Sequence, residues 1–210
     1  MTAIDGWTTT LKRYYRRKRS GSPVVVVSRL PRSGTSMAMK MLDAGGMQLH
    51  IDDIRQPDID NPKGYYEFER VKNLGNDTNK SWVLETRGKA VKVISHLVRD
   101  LPGSCFYRVI FMNRALDEII ASQNKMLERL AEPITGDPEE LKENFVRHLR
   151  VVKLWLKRQP NVELLEVDYS DVLKNPQALA ERIRNFVGAD LDVTKMAAAV
   201  DPSLYRNRAR

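Results

Sequence analysis

The sequence predicts an α/β protein in three layers, a mostly parallel sheet flanked by helices on both faces. Four short apolar segments, near residues 24–27, 90–95, 108–112 and 162–167, alternate with longer stretches of helical periodicity. The first, Val24-Val25-Val26-Val27, is β-branched and does not alternate with polar residues, as suits a parallel strand buried on both faces. Helix starts and stops punctuate the intervals between these segments, so strands and helices take turns along the chain.

After the first strand, Met37, Ala38, Met41 and Leu42 recur at helical spacing, and Gly45-Gly46 supplies a stop. Residues 46–64 carry Asp52, Asp53, Asp58, Asp60, Pro57, Pro62 and Gly64 and read as an irregular excursion. Ala90 to Ser95 is the second strand. Arg108-Val109-Ile110-Phe111-Met112 is the third, running into a helix with Leu116, Ile119, Ile120, Leu127 and Leu130 on one face. Asp137-Pro138-Glu139-Glu140 opens the next helix: Asp caps, Pro suits the first turn, and Glu140 is placed to complete a capping box. Its core stripe is Leu141, Phe145, Leu149, Val152 and Leu156, ending at Gln159-Pro160. Val162 to Val167 is the fourth strand. Asn175-Pro176 opens a further capped helix, with Leu179, Ile183, Phe186 and Val187 inward and Gly188 as terminator.

The 210 residues, 42% hydrophobic and 30% charged, are ample for one buried core and exclude collagen-like, low-complexity and wholly disordered classes. We divide the chain into a basic lead-in, 1–22, and a single domain, 23–210. The lead-in holds Lys12, Arg13, Arg16, Arg17, Lys18 and Arg19 around Tyr14 and Tyr15, read as a solvated arm, with nucleic acid or an acidic membrane surface as the other option. No run approaches the roughly 18 apolar residues of a membrane span, and no apolar stretch suggests a secretory signal. One cysteine, Cys105, and three histidines without ligand spacing give no expectation of a disulfide or a metal. A soluble, cytoplasmic protein of a reducing compartment is expected. The formal charge of +8 favours anionic ligands.

The most informative stretch runs from the first strand through Arg29-Leu30-Pro31 to Arg32-Ser33-Gly34-Thr35-Ser36. A buried strand, a polar turn and an immediate helix aim free backbone N–H groups outward, where the helix dipole adds positive potential. Thr35 and Ser36 offer hydroxyls, and Arg32 a charge with bidentate geometry. A nucleoside-triphosphatase loop would need Gly at 29 and Lys at 35, where the chain has Arg29 and Thr35. The residues that handle a γ-phosphate are therefore missing.

Pro31-Arg32-Ser33-Gly34-Thr35-Ser36 resembles the 5′-phosphosulfate loop of the sulfotransferases, P-[KR]-S-G-T-[TS], in particular their bacterial and tyrosylprotein branches. These enzymes use 3′-phosphoadenosine 5′-phosphosulfate (PAPS) and release 3′,5′-ADP. The resemblance implies a P-loop NTPase-like sulfotransferase fold, with Arg32, Ser33, Gly34, Thr35 and Ser36 on the donor. The family's second element, an Arg after a strand and a Ser eight positions on for the 3′-phosphate, is matched by Arg114 and Ser122. Eight helical residues span about 12 Å, so Arg114 must reach toward the helix or the turn must bend back. The segment from Glu166 to Pro176 is similar to the family's Y-E-D-L…N-P stretch and implies that Tyr169 lies near the nucleotide.

Sulfuryl transfer needs a base for the acceptor proton. The resemblance offers three. His96, in Ser95-His96-Leu97, is similar to the cytosolic branch's T-H-L segment and ranks first. Asp52, after Met41-Leu42-Asp43-Ala44, resembles the tyrosylprotein branch's base segment. Glu67, in Asn61-Pro62-Lys63-Gly64-Tyr65-Tyr66-Glu67, is similar to the N-P-x-G-[YF]-[FYW]-E segment of bacterial members, with Tyr65 and Tyr66 as candidate acceptor walls. The implied function is transfer from PAPS to a hydroxyl or amine whose identity the sequence leaves open. Two alternatives stand beside it, a kinase-like phosphotransferase and a nucleotide- or nucleic-acid-binding module without turnover.

Overall fold

Val24–Arg29 forms β1, and all six residues are buried, as the unbroken β-branched run demands. It is an inner strand of a four-stranded, wholly parallel sheet of order β2-β1-β3-β4. Here β2 is Ala90–Ile94, β3 is Tyr107–Asn113 and β4 is Val162–Asp168, each where the apolar segments of the sequence put it. The computed structural model describes residues 21–52, 54, 64–133 and 137–204. All but Gly21 and Ser22 of the basic lead-in, and most of the 46–64 excursion, Asp53 included, lie outside them.

Strand register gathers the polar strand ends. Arg29 pairs with Ile94, Ser28 with Phe111 and Asn113 with Asp168, so the carboxyl ends of all four strands share one edge. Open α/β sheets bind ligands at that edge.

The helices are α1 (Thr35–Ala44), the single turn α2 (Trp82–Glu85), α3 (Leu116–Arg129), α4 (Pro138–Arg158), α5 (Tyr169–Lys174), α6 (Pro176–Val187) and α7 (Val193–Ala198). They cover both faces, giving the three layers expected. Val24, Val26, Val109 and Phe111 pack with Leu149, Val152 and Leu156 of α4 on one face. Val25, Val27, Ile110 and Met112 pack with Ala38, Met41 and Leu42 of α1, Ile183 and Val187 of α6 and Met196 of α7 on the other. Each fully buried Val or Leu contributes about 1.5–3 kcal/mol, so the alternation along β1 secures both layers at once.

Local signals fared unevenly. Asp137 caps α4 through its side chain, accepting from the Glu139 N–H at 3.2 Å. Asn175 precedes α6, but its side chain makes no capping bond, and Pro176 alone marks that start. Leu130 lies beyond the end of α3 and is 57% exposed, because the helix has run past the core by then. Among the described residues no helix is long and apolar enough to cross a membrane.

Candidate active site

The turn between β1 and α1 holds an unusual backbone. Arg32 has φ 68 and Gly34 has φ 90, both in the left-handed region. For Arg32, a non-glycine residue, that conformation costs about 1–3 kcal/mol and marks a turn held in place by its surroundings. Gly34 is demanded twice, since a Cβ there would also fall 2.8 Å from Tyr169 Cε2 and closer still to Cδ2. Among the described residues no side chain caps the start of α1. Its N–H groups stay open to an anion, favoured by the helix dipole. The buried Ser33 hydroxyl donates to the Leu30 carbonyl at 2.8 Å, bracing the turn from within. Thr35 is nearly buried at the helix start, and Ser36 follows it toward the cavity.

The second element meets the first here. Ser122 Oγ accepts from Arg32 Nε at 3.0 Å, and Arg114 Nη1 donates to the Arg32 carbonyl at 2.9 Å. Arg114 reaches back across the start of α3, also pairing with Glu118 at 2.8 Å, while Ser122 stands two turns along the same helix. The two residues thus converge on Arg32 although about 12 Å of helix separates their positions. Tyr169, at the start of α5, packs on Gly34, and its ring carries the Arg114 guanidinium at 4.8 Å. Burial, partly opposed by the Arg114 charge, pushes its phenol up from the ordinary value.

The three base candidates end in different places. Glu67 lines the cavity, with Oε1 at 3.3 Å from the Lys92 ammonium. His96 is not among the cavity's lining residues. It stacks on His148 of α4, with ring centroids 3.8 Å apart and planes 11° from parallel. His148 in turn meets Ser95 Oγ at 2.9 Å, and burial together with the charges of His96 and Arg99 lowers its pKa to about 4. Asp52 is also absent from the lining. Its carboxylate accepts from the N–H groups of Glu69 (2.6 Å) and Ile54 (3.2 Å), fastening the turn there. Of the two tyrosines, Tyr65 lines the cavity and Tyr66 does not.

Lys92 is not among the residues that the motifs single out. It sits in β2 with a side chain only 8% exposed, donates to the Tyr65 carbonyl, and lies 3.3 Å from Ser36 Oγ. A cation therefore stands beside the α1 start although the loop itself has Thr where a triphosphatase loop has Lys. The signal was present: one Lys interrupts the apolar run Ala90-Val91-Lys92-Val93-Ile94, and a buried strand lysine needs a reason.

These groups share one cavity of about 950 Å³ over the carboxyl edge of the sheet, lined among others by Arg32, Thr35, Ser36, Glu67, Lys92, Arg114, Ser122 and Tyr169. Such a volume suits a nucleotide-sized ligand with room for part of a second. Outside its lining, Glu166 of β4 takes the ammoniums of Lys153 (2.6 Å) and Lys157 (3.1 Å). Burial would raise the Glu166 carboxyl, but hydrogen bonds from Lys153, Lys157 and Asn113 hold it down at about 2.

The chain has the sulfotransferase fold. It is similar to the sulfotransferase domain from the curacin biosynthetic pathway, with a TM-score of 0.51 and 12% identity over 86% of this chain and 78% of that one. Weaker likenesses are to mouse sulfotransferase SULT7A1 complexed with PAP (TM-score 0.47, 17% identity, 91% of this chain and 68% of that one) and to retinol dehydratase in a complex with retinol and PAP (0.46, 19%, 91% and 67%). No family model and no curated protein matches the sequence.

Proposed function

We propose that the protein is a sulfotransferase, moving a sulfuryl group from PAPS to a hydroxyl or amine acceptor. The observation that carries this reading is the meeting of two sequence elements more than eighty positions apart, with Arg32 bonded both to Ser122 and to Arg114 at an open helix start. That arrangement offers two anion positions side by side, as a donor with phosphates at both 3′ and 5′ requires. In this reading the loop N–H groups, Arg32, Thr35 and Ser36 hold the 5′-phosphosulfate, Arg114 and Ser122 hold the 3′-phosphate, and Tyr169 flanks the nucleotide. Ser33 contributes its N–H, its hydroxyl being engaged within the turn.

The transfer breaks the bond between sulfur and the bridging phosphate oxygen and forms one between sulfur and the acceptor oxygen or nitrogen. Arg32, the loop amides and Lys92 stabilise the charge that grows on the leaving phosphate, the step at which fixed cations help most. The acceptor proton needs a carboxylate or imidazole within reach. We assign it to Glu67, which shares the cavity with Lys92, rather than to His96 or Asp52, whose side chains are engaged outside the cavity's lining. Imidazole chemistry favoured His96; position favours Glu67.

A thermal-shift panel tests the reading. A ligand at 100 times its Kd adds about 2.7 kcal/mol of stability. We expect 3′,5′-ADP to stabilise the protein clearly more than 5′-AMP, and Arg114→Ala to erase most of the difference. Equal shifts from the two nucleotides would refute the assignment of Arg114 and Ser122, and a larger shift from Mg-ATP would point to phosphotransfer instead.

A further inference from the structure

Arg29 occupies the last position of β1, where a triphosphatase loop would carry Gly. It lines the same cavity as the loop, yet it takes no part in the donor contacts proposed above. Its side chain lies on the opposite face of the sheet from the α1 start, with the guanidinium carbon 5.4 Å from the Phe111 ring centroid, in the layer covered by α4. Arg29 is 6% exposed. It is a charge taken out of water.

Its partners do not match that charge. Nη1 donates to Asn113 Oδ1, a neutral amide, and among the described residues the buried Nε has no hydrogen-bond partner. Behind Asn113 stands Glu166, whose carboxylate already receives Lys153, Lys157 and the Asn113 amide. Glu166 thus answers to Lys153, Lys157 and the field of Arg29, to which Asp168 adds a smaller contribution. A buried guanidinium that meets only a neutral acceptor and a shared carboxylate is costly unless an anion completes it. A solvated strand-end arginine would carry no such cost, and a purely structural one would be expected to own its carboxylate. Burial already acts on it, lowering its pKa from the ordinary value to about 10.

We propose that Arg29 is a second anion-binding position in the cavity, separate from the phosphate loop, which takes a carboxylate, sulfate or phosphate group carried by the acceptor. The inference rests on the sulfotransferase reading for the word acceptor, and on the cavity and the incompletely paired guanidinium for the position. It narrows the acceptor to molecules that carry an anionic group as well as the hydroxyl or amine to be sulfated. The planar fork of Arg suits such groups, and the apolar neighbours Val93, Ile94 and Leu97 strengthen the attraction by excluding water.

The experiment is calorimetric titration of sodium sulfate into the 3′,5′-ADP complex, against sodium chloride at matched ionic strength, for wild type, Arg29→Met and Arg29→Lys. Wild type should bind one sulfate beyond the nucleotide. Arg29→Met should weaken that sulfate at least tenfold, Arg29→Lys should retain most of it, and 3′,5′-ADP affinity should stay unchanged in both. A paired competition with 4-hydroxybenzoate and its neutral isostere 4-hydroxybenzamide separates sources: displacement of the sulfate by the carboxylate alone supports an acceptor anion. Absence of a second sulfate, equal sulfate binding in Arg29→Met, or displacement by both phenols overturns the proposal. So does a loss of 3′,5′-ADP affinity in Arg29→Met, which would hand Arg29 to the donor. If Arg29→Met does not fold, Arg29→Gln replaces it with the same readout. The sulfate titration can also be run on nucleotide-free Arg32→Ala protein, so failure of 3′,5′-ADP to bind counts against the sulfotransferase reading and leaves the Arg29 test standing.

Discussion

Gly34→Ala perturbs the loop in two separable ways. The position has φ 90 and ψ 13, and an L-residue in the left-handed region costs about 1–2 kcal/mol. The new methyl also meets the Tyr169 ring 2.8 Å from Cε2, well inside van der Waals contact, and Tyr169 is only 6% exposed. Overpacking of that kind costs about 1–3 kcal/mol. The sum is about 2–5 kcal/mol, which for a chain of this length lowers Tm by about 4–20 °C. A double-mutant cycle separates the parts. Tyr169→Ala removes the steric obstacle but leaves the backbone strain, so Gly34→Ala/Tyr169→Ala should be more stable than the sum of the single losses predicts, by about 1–3 kcal/mol. It should still fall below Tyr169→Ala alone. Urea unfolding of the four proteins reads this directly. Losses that add within about 0.5 kcal/mol would refute the claim that the glycine exists to let Tyr169 approach the loop.

The same geometry sets further outcomes. Glu67→Gln should lower kcat by about 10² to 10⁴ with 3′,5′-ADP affinity unchanged, whereas His96→Ala and Asp52→Asn should leave kcat within about threefold; an inactive His96→Ala protein that still binds nucleotide would restore the imidazole as base. Lys92→Met should reduce kcat by about 10² to 10³ and more than it weakens donor binding, measured by single-turnover kinetics, and an effect on affinity alone would remove Lys92 from the transition state. Glu166 is held down at about 2 in the folded chain against an ordinary 4.5, so the stability it supplies is present above pH 4.5 and is lost as pH falls toward 2. Its side chain is 29% exposed, which limits the contribution to about 1–3 kcal/mol. Glu166→Gln should lose that amount at pH 7 and approach wild type near pH 2–3, and a gap independent of pH in urea unfolding would contradict the pairing.

What the sequence by itself determined is local or periodic. Four apolar runs placed four strands, since a segment buried on both faces must lack polar alternation whatever surrounds it. Pro31 to Ser36 announced a turn that leaves helix-start N–H groups uncapped, since a strand passing directly into a helix exposes them irrespective of the rest of the fold. Position along a helix was less secure: Leu130 keeps the apolar identity of its face but lies past the point where the core ends. The tertiary structure alone decided which charged groups meet. Arg114 and Ser122 converge on Arg32 because parallel β1–β3 pairing lays the start of α3 beside the loop. Lys92 enters the site because β1–β2 register sets it opposite Val27 on the α1 side, while Arg29, two residues beyond Val27, turns at the strand end toward Phe111 and α4. The choice among His96, Asp52 and Glu67 was open in the sequence for the same reason. Spacing along a chain states how far apart residues are in number, and only packing across strands states which way their side chains point.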